Sequence, residues 1–319
     1  GPGGWSRALR HAPVLREIAR DVAAICPNAW LFNYSNPMSC LVRAARTEHP
    51  ARTVGLCHGT MNTQRLLAAR VGATFTETTA QAAGVNHLTW IHDLCWGDRD
   101  VLAMLRQRGP EADERDPFSW SLFEVYGAFP APGDRHVVEF YPGFFPHGAY
   151  QGGVLGVDRF PMDPVLRGGE ARFEEMAAQA RGEKPLDERL FHRAPGEHEQ
   201  LMEIIRSIEG NAGEVFFANV PNEGAIPGIP PDAPVEVPIA FWRDGYQTRL
   251  QKPLPRGVVP LLAQRCLQQE LNTAAALTGD RNLALQALLA DGWVTSVADA
   301  RRLMDELLET HKAHLPLFH

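Results

Sequence analysis

Between Ser6 and about Cys26 the apolar residues Leu9, Leu15, Ile18, Ala19, Val22 and Ile25 recur at helical spacing. The pattern predicts one helix, its start restricted by Pro13. "NAWLFNY", Asn28 to Tyr34, is a short apolar run that predicts a strand, broken at Asn36-Pro37. "MSCLVRAARTEH" returns to helical spacing with Leu41, Val42 and Ala45 inward, and "RTVGL" predicts a second strand ending at Cys57. "TMNTQRLLAARVG" predicts another helix closed by Gly72. Helix and strand alternating in this way predict parallel strands in an α/β sheet.

After Gly84 the pattern changes. "GVNHLTWIHDLCW" carries Val85, Leu88, Trp90 and Ile91 in a strand-like arrangement. Residues 98–133 are charged and interrupted, and residues 150–195, rich in Gly, Pro and charge, read as excursion loops. "EVFFANVPNEGAIPGIPPDAPVEVPIAFWRDG" returns to strands and turns, with "NVPNEG" as turn chemistry. In the helical tail, Ser296 followed by Asp299 predicts a capping box.

Composition narrows the function classes. The 319 residues suit one large domain or two lobes, and the formal net charge of -7 with no Lys/Arg cluster argues against a nucleic-acid partner. No apolar run approaches bilayer length, so no membrane partner is expected, and no stretch reads as a signal peptide. Five scattered cysteines form no disulfide framework and predict reduced thiols in a cytoplasmic setting. The chain opens with "GPGGWSRALR", without Met or a preceding strand, and reads as a sequence whose amino-terminal part is missing. No G-x-G-x-x-G occurs, so the phosphate loop of any dinucleotide site is expected in that missing part.

Ligands in open α/β sheets bind outside the carboxyl ends of the strands, where Asn36-Pro37 and Cys57-His58 both fall. A lone cysteine is most often a small buried apolar side chain. Cys57, however, stands at a strand end between Gly55 and Gly59. Two adjacent residues of an extended strand point to opposite sides, so only one of Cys57 and His58 need face a site. His87 and His92, five apart, would likewise face opposite sides of a continuous strand, leaving one of them to join Cys57. A Cys/His pair with open positions can hold a divalent ion completed by water or substrate oxygens. The amide of Asn36 can bond a substrate hydroxyl. Asp134, Arg135, His136, Glu139 and Tyr141 read either as an amphipathic surface segment or as the source of an acid or base. Asn219, Asn222 and Glu223 read as a turn that could also line a polar pocket.

These stretches, in order, resemble glycoside hydrolase family four, whose members use NAD and a divalent metal and are related in fold to lactate and malate dehydrogenases. The resemblance runs through "GPGGWSRALR", "NYSNPM", "GLCHG", "GVNHLTW", "EFYPGF", "NVPNEGAIPGIPPDAPVEVP", "ELNTAAALTGDRNLALQALLADG" and the final "HKAHLP". It implies the carboxyl-terminal part of a Rossmann-like parallel sheet over residues 1–82. A lactate-dehydrogenase-like α+β domain for catalysis, substrate and oligomerisation would follow over 83–319. It implies Cys57 and His87 as ligands of Mn2+ or another divalent ion, and Asn33 and Asn36 beside NAD. Asn36, Asn86 and Asn219 would contact substrate, and His58 substrate or the leaving oxygen. The general base is expected at Asp134, with His136 next.

The implied route is redox: NAD+ takes hydride from C3, the C3 ketone acidifies the C2 proton, a base removes it and the aglycone leaves from C1, and then water adds and the steps reverse. The two-carboxylate hydrolysis of other glycosidases has no place in it, and the handful of known exceptions includes this NAD-dependent family. The wording of "NYSNPM" and "EFYPGF" is similar to α-galacturonidase-like members, so an unphosphorylated α-hexuronide is the expected substrate, with a homodimer or homotetramer as the assembly. The alternatives are an NAD-dependent hydroxyacid dehydrogenase, which needs no Cys/His metal pair, and a truncated, non-catalytic lobe.

Overall fold

A computed structural model describes all residues except 112–113, 189–199 and 250–251. The chain forms α1 (Pro2–Ile25), β1 (Leu31–Asn33), α2 (Met38–Arg46), β2 (Thr53–Gly55) and α3 (Gly59–Arg70). Next come β3 (Thr78–Val85), β4 (Leu88–Trp96), β5 (Arg99–Asp100), α4 (Val101–Arg108), α5 (Pro117–Tyr126), β6 (Phe129–Ala131) and α6 (Asp134–Val137). After β7 (Ala149–Tyr150), β8 (Gly153–Val154) and α7 (Asp163–Ala180), the order continues with α8 (Leu201–Gly210), β9 (Val215–Pro221), β10 (Pro234–Trp242) and β11 (Gly245–Thr248). Three helices close it: α9 (Val258–Thr278), α10 (Arg281–Asp291) and α11 (Val297–Thr310).

The α/β class holds. One sheet runs β1-β2-β9-β10-β3-β4-β5, with β11 on β10 and β6 on β4. Only β1 and β2 pair in parallel; the remaining pairs of this sheet are antiparallel. The chain divides into a large unit, Gly1–Phe140 with Glu199–His319, and a smaller one, Tyr141–His198.

Local chemistry explains most elements. Trp5, Ala8, Leu9 and Ala12 are buried along α1, and the indole of Trp5 donates to the Ala284 carbonyl (2.8 Å). This burial keeps the first turns helical, so α1 runs straight through Pro13 rather than starting near it, as the sequence predicts. Residues of α1, α2, α9, α10 and α11 share one apolar core around Trp5, Leu41, Leu288 and Met304. A second core joins Leu67 of α3 and Ile91 and Leu94 of β4 to Trp120, Phe123 and Phe129. The Ser296 hydroxyl accepts the Asp299 N–H, the predicted cap of α11. β10 is buried along nearly its whole length, as its apolar run requires. Cys40 and Cys266 are buried, Cys57 and Cys95 half-buried and Cys26 exposed, with no disulfide among the described residues. The excursion read as loops contains α7, whose side chains are all partly or fully exposed. A helix with no buried stripe gives the sequence no strong period to read.

One row of paired residues crosses the sheet: Asn33 opposite Gly55, then Asn219, Glu236, Gly84, Thr89 and Ala131. Two of its members are glycines because neighbours approach too closely for a side chain. A Cβ at Gly84 would lie 2.4 Å from the Leu88 carbonyl oxygen and 2.7 Å from the Thr89 Cα. At Gly55 it would meet the Met38 sulfur at 2.5 Å and the Asn219 Cβ at 3.0 Å. Backbone atoms cannot step aside as a flexible side chain can. Gly84→Ala should therefore lower the unfolding free energy by about 1–3 kcal/mol in urea titrations. Wild-type stability in that variant would show that the β3–β4 hairpin relaxes without cost.

Candidate active site

β1 and β2 each deliver a polar loop. After β1, the Asn33 amide closes a tight turn, donating to the Ser35 carbonyl (2.9 Å) and accepting the Ser35 N–H (3.1 Å). Asn33 is buried, and its side chain is occupied in shaping the loop. Asn36 precedes a cis proline, and its Oδ1 accepts the Met38 N–H (3.2 Å). After β2, Cys57 is half-buried, and its Sγ accepts the Gly59 N–H (3.4 Å) at the start of α3. His58 has helical backbone angles and begins that helix. The alternation expected of an extended strand therefore does not apply to Cys57 and His58, which lie beyond the strand.

His87 also departs from the strand reading. Val85 pairs with Leu88, so Asn86 and His87 are the two-residue turn of the β3–β4 hairpin. His87 has φ +67°, in the left-handed region that few side chains other than glycine occupy without strain. Its ring stacks on that of His136, centroids 4.0 Å apart and planes 28° from parallel. His136 Nδ1 lies 3.2 Å from Glu139 Oε1. Burial drives the His87 pKa down to about 3; the neighbouring His136 and His58 push the same way, and Glu139 opposes them. Burial is the largest influence on the carboxyl of Glu139 and raises it, but the hydrogen bond to His136 together with the electrostatic pull of His136, the amino terminus and His87 leaves it below the usual range. His136, His58 and Glu139 thus all act on His87. Pro132, four residues before His136, packs against Gly59 beside Cys57: a Cβ on Gly59 would lie 2.8 Å from the proline and 3.5 Å from the thiol sulfur.

The structure places the remaining predicted residues away from this cluster's surface. Asp134 is fully buried. Its carboxylate accepts the Phe118 N–H (2.8 Å), the Ser119 N–H (2.7 Å) and the Ser119 hydroxyl (2.6 Å), so it holds the first turn of α5. Asn86 and Asn219 are buried as well. Both donate to Glu236 Oε2 at 3.1 Å, and Asn219, read as turn chemistry, stands inside β9. His92 lies on β4, on the far side of the turn from His87, and its Nε2 is buried with no partner among the described residues.

Glu236 is the residue that sequence reasoning missed. It is 1% exposed, two residues after the first residue of β10. One oxygen accepts the Thr60 hydroxyl and the other the two asparagine amides. Burial raises its carboxyl pKa, against hydrogen bonds from Thr60, Asn86, Asn219 and Thr89. The available signal was one acid inside the apolar run "VEVPIAFW".

Among the described residues, no three His, Cys, Asp or Glu side chains gather closely enough to cage an ion. A two-ligand site needs no such cage. A thiol and an imidazole held neutral by burial are donors that suit a divalent transition metal. For a dinucleotide, Asn36 is the amide of the first loop with a group to spare, since its Nδ2 is not used by that loop. No described helix is long and apolar enough to cross a membrane.

Comparison with known proteins places these observations in a family. Residues 1–73 match the model of family 4 glycosyl hydrolases, and residues 82–294 that of the family's C-terminal domain. The alpha-galacturonidase of Bacillus subtilis (strain 168) is 32% identical, the alignment covering 97% of this chain and 73% of that one. The alpha-galacturonidase of Thermoanaerobacterium saccharolyticum is 31% identical over 99% of this chain and 72% of its own. A crystal structure from Bacillus subtilis, provisionally described as a glucosidase (lplD), superposes with a TM-score of 0.81 at 31% identity, covering 97% of this chain and 75% of that one.

Two measurements check the electrostatics. His92 has a pKa of about 4 in the fold because burial disfavours its charged form, with Lys252 adding to and Asp93 opposing the shift. An unfolded histidine titrates near 6.5. The unfolded state therefore binds more protons across this interval, and stability should fall as pH drops from about 6.5 to about 4. This histidine's share is at most about 3 kcal/mol. His92→Phe should flatten that part of a denaturation-versus-pH curve; an unchanged slope would contradict the assignment. Asp134→Ala, which strands three donors, should cost about 2–4 kcal/mol in thermal or chemical unfolding. A variant as stable as the parent would release Asp134 for chemistry.

Proposed function

The chain belongs to family 4 of the glycosyl hydrolases, and from that premise we propose that it cleaves unphosphorylated α-glycosides, α-galacturonides first, with NAD and Mn2+ or another divalent ion. The hydroxyacid dehydrogenase alternative gives way, because both family models are those of a glycosyl hydrolase. The observation that carries the reading is the convergence of His87, His136, Glu139 and His58 beside the loop that bears Cys57. The galacturonide preference is supported by the two alpha-galacturonidases, each over 30% identical across nearly the whole chain.

When bound, NAD supplies the hydride acceptor for sugar C3 and the divalent ion the Lewis acid for the C3 oxygen. Cys57 and His87 would hold the ion. The neutral state of His87 leaves a ring nitrogen lone pair for that purpose. The side-chain amide of Asn36 would be free to orient the sugar beside the bound cofactor. His136, its Nδ1 engaged with Glu139, presents Nε2 to take the proton from C2. We place the base there rather than at Asp134, whose oxygens are occupied by α5. His58 lies next to the ligand loop and contacts the leaving oxygen.

The test is hydrolysis of nitrophenyl α-glycosides in heavy water, with NAD+, Mn2+ and a thiol present or omitted. Expected is release from the α-galacturonide that requires both cofactors and yields product deuterated at C2. Cys57→Ser and His87→Ala should each reduce kcat/KM by about 100-fold or more, at or beyond the upper end of what loss of a ligand's supporting partner costs. Hydrolysis that carries no deuterium into C2 would rule out the redox route.

A further inference from the structure

We propose that Glu236 is the positioning residue of the Cys57/His87 pair, the one group that ties both ligand-bearing loops to the middle of the sheet. The inference rests on the metal reading above.

Three tethers support it. Thr60, whose hydroxyl donates to Glu236 Oε1, is the third residue after Cys57 and stands in the first turn of α3. Asn86, whose amide donates to Oε2 at 3.1 Å, immediately precedes His87. Asn219 donates to the same oxygen at 3.1 Å and also reaches the Gly55 carbonyl at 3.4 Å, two residues before Cys57. The Cys57 loop is thus held on both sides, and the His87 turn at its first residue. Glu236 stands between these segments in the register, opposite Asn219 on one side and Gly84 on the other.

A merely structural residue would not need to be a carboxyl. Burying one is costly, and an apolar side chain of similar volume is commonly neutral or better for stability. What an apolar side chain cannot do is accept from three donors on three chain segments. β2 and β9 share a single register pair, and so do β10 and β3. Backbone pairing alone therefore fixes the two loops only weakly, and the carboxyl supplies the missing constraint. Residues that orient a ligand in this way typically govern metal affinity by about 10–100-fold.

The test is a cobalt(II) titration of the full chain, read by the thiolate-to-cobalt charge-transfer band, which needs neither NAD nor substrate. Five variants are compared with the parent, with unfolding curves recorded alongside. Glu236→Gln should keep the band and the affinity, because its amide oxygen can take both asparagine donors while its NH2 donates to Thr60. Glu236→Leu should weaken cobalt binding about 10–100-fold. Val237→Ala, a buried neighbour on the same strand that makes none of these bonds, should lower stability and leave affinity unchanged. Thr60→Val, which removes one tether and preserves the strand, should weaken binding about 10-fold and carries the same reading if Glu236→Leu fails to fold. Parental affinity in both Glu236→Leu and Thr60→Val, or an equal loss in Val237→Ala, would overturn this inference alone. A parent that gives no band, or one that Cys57→Ser leaves intact, would overturn the metal reading and this inference with it.

Discussion

A carboxyl group buried at the centre of a nine-stranded sheet must be met by donors or it unfolds the sheet around it. Glu236 meets that condition with a threonine from α3, an asparagine from the β3–β4 turn and an asparagine from β9. Because the donors come from distant parts of the chain, satisfying the carboxyl also fixes where those parts sit. The row from Asn33 to Ala131 then becomes a baseline, and the loops that follow β1, β2, β3 and β6 are measured from it. The glycines at positions 55 and 84 serve the same baseline by letting β2 and the hairpin close on their neighbours.

The chemistry follows from this placement. A histidine in a left-handed turn, buried against a second imidazole, loses its proton and becomes a neutral donor. The second imidazole keeps a carboxylate partner in Glu139, so the stacked pair differs in polarity from one ring to the next. Asp134, one turn away, illustrates the opposite use of a buried carboxylate: it is spent on three local donors and holds α5. Two acids close in sequence, Asp134 and Glu139, thus meet different partners, one the donors of α5 and the other an imidazole.

Much of this was legible in the chain, and the reasons for the remainder are physical. The helices with a buried stripe, α2, α3 and α11, follow their spacing, and the two parallel strands end where Asn36-Pro37 and Cys57 stand. Pro13 misleads because packing against α9 and α10 outweighs the local penalty. α7 is missed because none of its side chains is buried. His87 and His92 are set apart by a hairpin turn that lacks the usual glycine signature, so the strand argument, sound for a continuous strand, does not apply. Asn86 and Asn219 read as polar contacts for a ligand because their true partner, Glu236, is far away in sequence and hidden inside an apolar run.

The smaller unit leaves the larger after Phe140 and rejoins it at Glu199, so every strand of the baseline row is contributed from outside that excursion. Loop-closure entropy rises only slowly with length. A longer or shorter excursion would therefore add little to the cost of closing the chain: it would alter the spacing from His87 to Glu236 but leave the register of the row as the strands themselves set it.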